Sequence, residues 1–279
     1  MNDSGVADSG LADTRIGSGS DHTVFLNFVG MPVIGLQFDG DYGVYHSAYD
    51  DFYWMNHFGD PGYRYHTLMS QLWGVTALRL ANADLLPFDF ATYAGNIRQF
   101  VNELRKANAK ILGAASQHRV TESSGKGTAS AVPLEASNVD SFSTWGNRGA
   151  ATQLDFKPIL DAIDAFETAG KRLNESVSRK LAQSPIKPKL ALTLNHGMMQ
   201  VERNWLNPDG IPGRPWFKHI LYGARFTYAH LELPGLTEAV EKQDWPVAQQ
   251  QADILQRALE KNTNLLNQLN STLTENVIP

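Results

Sequence analysis

Apolar residues recur every three or four positions along most of the chain after residue 60, which is the spacing of one helix face. A first helix is expected to begin at Asp60, with Asp60 as the N-cap and Pro61 in the first turn, and Pro87 breaks the pattern. The same spacing predicts further helices over residues 90–111, 155–182, 188–206 and 245–273. Long amphipathic helices with short or polar connections are typical of a helical bundle.

The pattern before residue 60 is different. Residues 1–16 are rich in Gly, Ser and Asp, and we expect a flexible N-terminus. Residues 23–28 and 32–38 are apolar runs of strand length separated by Gly30, which predicts two short buried strands. Because two strands are marginally stable alone, this part is interpreted as the edge of a larger α/β sheet.

Two further expectations concern burial and loops. The first helix carries an apolar stripe that we expect to be strongly buried, made of Tyr65, Leu68, Leu72, Val75 and Leu78. Residues 113–150 have no helical period and are rich in Ser, Gly, Thr and Ala, which predicts a long loop.

Composition excludes several classes of protein. The chain has 279 residues and a net charge of -5, which argues against nucleic acid as a partner because phosphate binding needs clustered Lys and Arg. No apolar run approaches the roughly 20 residues of a membrane-spanning helix. The chain has no cysteine, so disulfides and thiolate zinc sites are excluded. Residues 1–10 do not resemble a secretion signal, and the sequence leaves the localisation unknown.

Common catalytic and ligand motifs are absent. Residues 124–128 read Ser-Gly-Lys-Gly-Thr, but a phosphate-binding loop needs Lys followed directly by Ser or Thr. The sequence has neither a Gly-x-Ser-x-Gly nucleophile elbow nor a His-Glu-x-x-His zinc motif. The aspartates at 39, 41, 50 and 51 do not fit the register of a calcium-binding loop.

The candidate chemistry lies in residues 41–54, which contain one histidine among aromatic and acidic residues. A neutral imidazole is the commonest protein metal ligand, and a neighbouring carboxylate can orient its ring. His46 is therefore the candidate metal ligand. A lone histidine is more often a structural residue, and composition alone leaves that alternative open.

Two separate motifs resemble one known family. The first motif comprises Gly-Ser-Gly-Ser-Asp at 17–21, Phe25, Tyr-His-Ser at 45–47 and Tyr-Asp at 49–50, and it resembles the end of the catalytic domain in two-zinc exopeptidases of the glutamate carboxypeptidase family. The second is Asn-Pro-Asp-Gly-Ile-Pro-Gly-Arg-Pro-Trp-Phe-Lys-His at 207–219, followed by Leu-Tyr at 221–222, and it resembles the family's helical dimerisation domain, which the non-catalytic transferrin receptor shares.

This resemblance implies an α+β fold. Residues 17–86 would be the C-terminal portion of the peptidase α/β domain, and residues 87–279 a transferrin receptor-like helical dimerisation domain. It also implies a homodimer, a peptide substrate and a site for two zinc ions. The parent family is usually extracytoplasmic.

The resemblance also assigns roles to single residues. His46 would be the last zinc ligand in the chain, and Tyr45 would stabilise the oxyanion of the tetrahedral intermediate. Ser18, Gly19 and Ser20 would line the substrate pocket. Tyr228 would bind the carboxylate at the end of the substrate.

The chain departs from the family pattern at several of these positions. Ser20 and Thr227 stand where glutamate-cleaving relatives carry Asn and Lys, and Gly35 and Gln37 stand where they carry arginines. Catalytic zinc needs about three protein ligands, and the general base and remaining ligands of the family precede residue 17. Two functions therefore stay open: the C-terminal portion of a zinc exopeptidase that is inactive alone, and a non-catalytic dimerisation or interaction module.

Overall fold

The computed structural model describes residues 15–38, 40, 42–123, 154–183, 185–226 and 229–275, with the backbone alone over 113–123. Most of the predicted loop, the first 14 residues and Tyr228 lie outside the described residues. Over 113–123 the backbone continues a helix, so the predicted loop is wrong for these residues.

Among the described residues after residue 60, the regular structure consists of six helices and one hairpin. In chain order they are α1 (Arg64–Ala81), α2 (Phe90–Ser123), α3 (Lys157–Gln183), α4 (Pro188–Arg203), β1 (Tyr222–Phe226), β2 (Ala229–Glu232), α5 (Pro234–Glu241) and α6 (Trp245–Glu275). The strands are antiparallel, with Tyr222 opposite Glu232 and Ala224 opposite His230. The fold is α+β, as the sequence predicts. None of the described helices is long and apolar enough to cross a membrane.

The core lies between α2, α3, α4 and α6. Trp205 is fully buried just after α4, and its ring contacts Tyr93 of α2 and Phe166 of α3 edge to face, with centroids 6.0 Å apart in both cases. A Cβ added to Gly170 would lie 2.9 Å from the backbone of Phe90 and Ala91. A larger residue at position 170 would therefore push α3 away from α2.

The two strands predicted before residue 40 are wrong. His22–Val24 and Phe25–Val29 form one short helical segment, which Gly30 ends in a left-handed conformation with φ of 63°. Residues 32–38 have no regular structure. Short apolar runs fit a strand and a buried helical turn equally well, and no other described segment pairs with this one as a strand.

The prediction that α1 is strongly buried is also wrong for this chain. None of its 18 residues is buried, and Leu68, Val75 and Leu78 are 49%, 48% and 64% exposed. Helical spacing identifies an apolar face but does not say whether the same chain covers it. This uncovered stripe, residues 65, 68, 72, 75 and 78, is called the α1 face below.

Asp60 caps the start of α1 from four residues upstream. Its carboxylate accepts hydrogen bonds from the backbone N–H of Arg64 at 3.0 Å and of His66 at 2.9 Å, and contacts His66 Nδ1 at 2.7 Å. Burial raises the pKa of Asp60, but the hydrogen bonds with His66 and the neighbouring backbone outweigh it and lower this pKa to about 2. The unfolded-state pKa of Asp is about 3.9.

The capping predicts a pH dependence. A carboxylate with a lowered folded-state pKa stabilises the fold above its unfolded-state pKa, and this contribution is lost as the pH falls toward the folded-state value. We expect Asp60→Asn to lower the protection of α1 amides from hydrogen exchange at neutral pH. The difference from the native chain should disappear between pH about 4 and about 2. An equal difference at both ends of this range would contradict the capping role.

Candidate functional site

The turn that holds the candidate metal ligand is exposed. His46 has a φ of 60°, a left-handed conformation that is uncommon outside glycine. The rings of Tyr45 and His46 meet edge to face with centroids 4.1 Å apart, and Tyr45 is 56% exposed. The turn therefore presents both side chains to solvent.

The described residues do not form a zinc site by themselves. No group of three or more His, Cys, Asp or Glu side chains that could hold a metal lies within the described part of the chain. A catalytic zinc needs about three protein ligands. Among the described residues, His46 is the candidate for one of these ligands.

The Gly-Ser turn lies against the hairpin. Gly17 has a φ of 107°, and a Cβ there would lie 2.8 Å from Tyr222 Cβ and 3.2 Å from the backbone nitrogen of Gly223. Asn27 donates a hydrogen bond to the Gly17 carbonyl at 3.0 Å. The turn can approach β1 this closely because position 17 has no side chain.

This turn contains the predicted pocket residues. Ser18 is buried, at 6% exposure, and its Oγ lies 3.4 Å from His230 Nδ1 on β2. Gly19 has a φ of 80°, and the carbonyl of Ser20 accepts hydrogen bonds from Thr23. Two stretches that are more than 200 residues apart in the sequence therefore meet here.

His230 is a site residue that the sequence reasoning missed. It lies on β2, two positions after Tyr228 in the sequence, and Tyr228 is outside the described residues. The only signal in the sequence was this proximity to Tyr228. Helical periodicity could not reveal it because the segment is a short hairpin.

Arg15 fixes the turn to the rest of the domain. Its guanidinium pairs with Glu232 of β2 at 2.7 Å and with Glu103 of α2 at 2.7 Å, and it lies over the ring of Phe100 at 5.4 Å. Burial lowers the pKa of Arg15, but the bonds with the two carboxylates outweigh it and raise this pKa above its usual value. The predicted flexible N-terminus therefore has a fixed residue near its end.

The motif at 207–219 builds a tight loop. The backbone N–H of Asn207 donates to the Lys218 carbonyl at 2.8 Å, and its side-chain amide donates to the Gly210 carbonyl at 2.6 Å. Gly210 has a φ of 73°, and a Cβ there would lie 2.4 Å from the Pro215 carbonyl oxygen. Only glycine fits that position without moving the backbone.

His219 ends the motif and is fully buried in a polar network. Its Nδ1 accepts from the backbone N–H of Leu221 at 3.2 Å and of Tyr222 at 3.1 Å, so the ring proton lies on Nε2, which donates to Glu202 at 2.9 Å. The hydroxyl of Tyr93 donates to the same carboxylate at 3.1 Å. The motif's histidine therefore joins α4 to the hairpin.

This network also changes the ionisation of its tyrosines. Burial, followed by the negative charge of Glu202, raises the pKa of Tyr93 well above its usual value. The same two causes raise the pKa of Tyr222. Both phenols therefore stay protonated, and Tyr93 is a neutral donor to Glu202, so this network is a structural element of the domain.

Comparison with known proteins identifies the bundle. Residues 154–267 match the transferrin receptor-like dimerisation domain. The chain is 30% identical to a probable glutamate carboxypeptidase of Arabidopsis thaliana over 91% of this chain and 32% of that protein. It is 25% identical to the aminopeptidase NAALADL1 of Rattus norvegicus over 88% of this chain and 30% of that protein.

A further relative carries a different description. The chain is 24% identical to a protein of Schizosaccharomyces pombe described as an inactive zinc metalloprotease, over 88% of this chain and 28% of that protein. The chain thus spans about a third of the length of these relatives or slightly less. Both catalytic and inactive proteins occur among them.

Proposed function

This chain belongs to the glutamate carboxypeptidase-like peptidases, whose C-terminal part it resembles, and we propose that it is the dimerising, pocket-forming portion of a zinc exopeptidase. In this proposal His46 provides one zinc ligand, and Tyr45 stabilises the oxyanion. Ser18, Gly19, Ser20 and Tyr228 line the peptide pocket. The remaining zinc ligands and the general base come from outside these 279 residues.

The contact of Ser18 with His230 carries the proposal. The resemblance placed the turn at 17–21 and the segment around Tyr228 in one pocket, although they are far apart in the sequence. The 3.4 Å distance from Ser18 Oγ to His230 Nδ1 supports that placement because His230 lies two residues from Tyr228.

The α1 face supports the proposal that a further part of a peptidase domain packs here. Leu68, Leu72 and Val75 are each 43–49% exposed on one face of α1. Exposed apolar patches of this kind usually mark contact sites. In the relatives, about two thirds of the length lies outside the region that this chain matches.

Zinc binding and hydrolysis test the proposal. We expect the isolated chain to bind zinc weakly, through His46, and to hydrolyse no dipeptide, because one histidine cannot hold a catalytic zinc. In a longer protein that includes an upstream peptidase segment, activity should appear, and His46→Ala should abolish it. His57→Ala is the matched control because His57 is also exposed, and it should leave that activity unchanged.

Two outcomes would contradict the proposal. Tight, stoichiometric zinc in the isolated chain, measured by elemental analysis, would show a complete site within these residues. A longer protein that dimerises but cleaves no peptide would favour the second function, a non-catalytic dimerisation or interaction module. The inactive relative in Schizosaccharomyces pombe favours keeping that alternative.

A further inference from the structure

A cavity of about 200 Å³ lies between the start of α2 and the end of α4. The apolar part of its lining comes from Phe88 and Tyr93 on the α2 side and from Met198 and Val201 on α4. A cavity of about 150 Å³ is large enough to hold benzene, so this one has room for a small organic molecule. None of the lining residues is one to which the proposed function gives a role.

The charged residues of the lining are both acidic. Asp89 and Glu202 line the cavity, and the lining contains no Lys, Arg or His. Asp89 is exposed, whereas Glu202 is only 9% exposed. One carboxylate therefore lies at the mouth of the cavity and the other lies deeper inside it.

The hydrogen bonds to Glu202 come from neutral groups. The Tyr93 hydroxyl donates at 3.1 Å and His219 Nε2 donates at 2.9 Å. His219 is a neutral donor because its Nδ1 accepts two backbone N–H groups. Buried charges are normally paired with an opposite charge, and no Lys or Arg among the described residues pairs with Glu202. A cation bound in the cavity would provide that charge.

Asp89 is held in the same way at the mouth of the cavity. Its Oδ1 accepts from the backbone N–H groups of Ala91 and Thr92 at 3.1 Å and from the Asn174 amide at 2.8 Å. Burial raises the pKa of Asp89, but the hydrogen bonds with Thr92, Asn174 and Ala91 outweigh it and lower this pKa. Asp89 thus carries a negative charge at neutral pH that no Lys or Arg of the described chain pairs with.

The lining favours an organic cation over a metal ion. Calcium takes about six to eight oxygen ligands, and the described residues contain no group of three or more acidic or histidine side chains that would hold a metal. Met198 and Val201 suit an alkyl chain instead, and the aromatic rings of the lining attract positive charge. A primary ammonium group has three N–H donors, for which Glu202, Thr92 and Asn96 offer oxygen acceptors.

We propose that this cavity binds a primary alkylammonium group, carried either by a free amine or by a lysine side chain of another protein. The ammonium group donates to Glu202, and the alkyl chain packs against Met198 and Val201. Asp89 attracts the ligand at the mouth. The bound group joins the start of α2 to the end of α4, and its binding needs neither zinc nor the proposed peptidase activity.

Methionine-methyl NMR of the full 279-residue chain, titrated with butylammonium chloride at constant ionic strength, tests the site. The methyl resonance of Met198 should shift and saturate, whereas that of Met31, which lies outside the cavity, should not. A ligand this small should bind with a Kd on the order of millimolar. Butanol has a similar shape without the charge, and it should bind about tenfold or more weakly because it lacks the charge-assisted bond to Glu202.

Variants separate the effect of charge from the shape of the cavity. Glu202→Gln should weaken butylammonium binding about tenfold and leave butanol binding nearly unchanged. Asp89→Asn still caps α2 and should weaken butylammonium binding about threefold, because an exposed charge is screened by solvent. Glu175→Gln removes an exposed carboxylate of α3 outside the lining and should leave both ligands unaffected. If Glu202→Gln does not fold, Asp89→Asn and the two ligands on the native chain decide.

Three results would overturn the inference. They are a Met198 resonance that does not shift, equal affinity for butanol and butylammonium, and displacement of butylammonium by calcium chloride at the same ionic strength. Unchanged butylammonium affinity in a folded Glu202→Gln variant would also overturn it. Nα-acetyl-lysine amide identifies the source of the ammonium group: tighter binding than butylammonium supports a lysine side chain, and weaker binding supports a free amine.

Discussion

Replacing His219 by alanine should lower the free energy of unfolding by about 3–5 kcal/mol, because it breaks a buried hydrogen-bonded pair and leaves the partner in place. Glu202 would lose the 2.9 Å bond to Nε2 while remaining about nine-tenths buried. The backbone N–H groups of Leu221 and Tyr222 would lose their common acceptor. Three polar groups would then be left short of partners at the joint between α4 and β1.

Chemical denaturation with matched variants measures this effect. Arg225 lies on β1 of the same hairpin, and Arg225→Ala removes its exposed ion pair with Glu241 of α5, which should cost less than about 1 kcal/mol. Glu202→Gln keeps an acceptor for His219 and should cost less than His219→Ala. A loss below about 1 kcal/mol for His219→Ala would mean that the network does not join the hairpin to the bundle.

The helices were predictable because each has a long, regular apolar period. The sequence placed α3 and α6 within two residues of their observed ends. The apolar spacing repeats over seven or eight helical turns in each, so a single ambiguous residue does not change the assignment. The hairpin was missed because its strands have only five and four residues. Its position depends on contacts with Gly17 and Ser18, which lie more than 200 residues away in the sequence.

Burial was the least predictable property. The spacing of Leu68, Leu72 and Val75 identified the apolar face of α1 correctly, but the chain leaves that face exposed. The run around Leu26 was interpreted as a strand because its apolar residues suit either structure, and Gly30 then ends a helical turn. In both cases the local sequence shows which residues are apolar. Which partners these residues pack against depends on segments elsewhere in the protein.

The roles of the motif residues were partly predictable. The resemblance identified residues 207–219 as a signature, but only the fold shows that Gly210 permits a close backbone approach and that His219 is buried. The turn at 45–47 carries Tyr45 and His46 together on the surface, and their proposed roles remain predictions. His230 could not be found from its sequence neighbourhood alone.

A homodimer formed by the bundle is the second large effect that we expect. The apolar faces of α3 and α6 are already buried within the chain, for example at Ile163 and Leu259, so their outer faces are the expected contact surface. Leu181 of α3 and Leu192 of α4 are exposed apolar residues on the outside of the bundle, at 48% and 58%. Stable homodimers usually bury more than about 2,000 Å² in total, so this one should survive dilution.

The α1 face is a second surface through which chains can associate. A variant distinguishes association through this face from dimerisation through the bundle. The triple substitution Leu68→Gln, Leu72→Gln and Val75→Gln makes that face polar without touching the bundle. We expect this α1 variant to aggregate less than the native chain and to keep its dimer, because the dimer contact lies on other helices.

Sedimentation equilibrium of the native chain and the α1 variant at micromolar concentration tests the central claim that this chain carries a functional dimerisation domain. The claim predicts a dimer of twice 30.8 kDa in both proteins, with fewer larger aggregates in the α1 variant than in the native chain. A cooperative, folded monomer of 30.8 kDa, in both proteins or in the α1 variant alone, would contradict it.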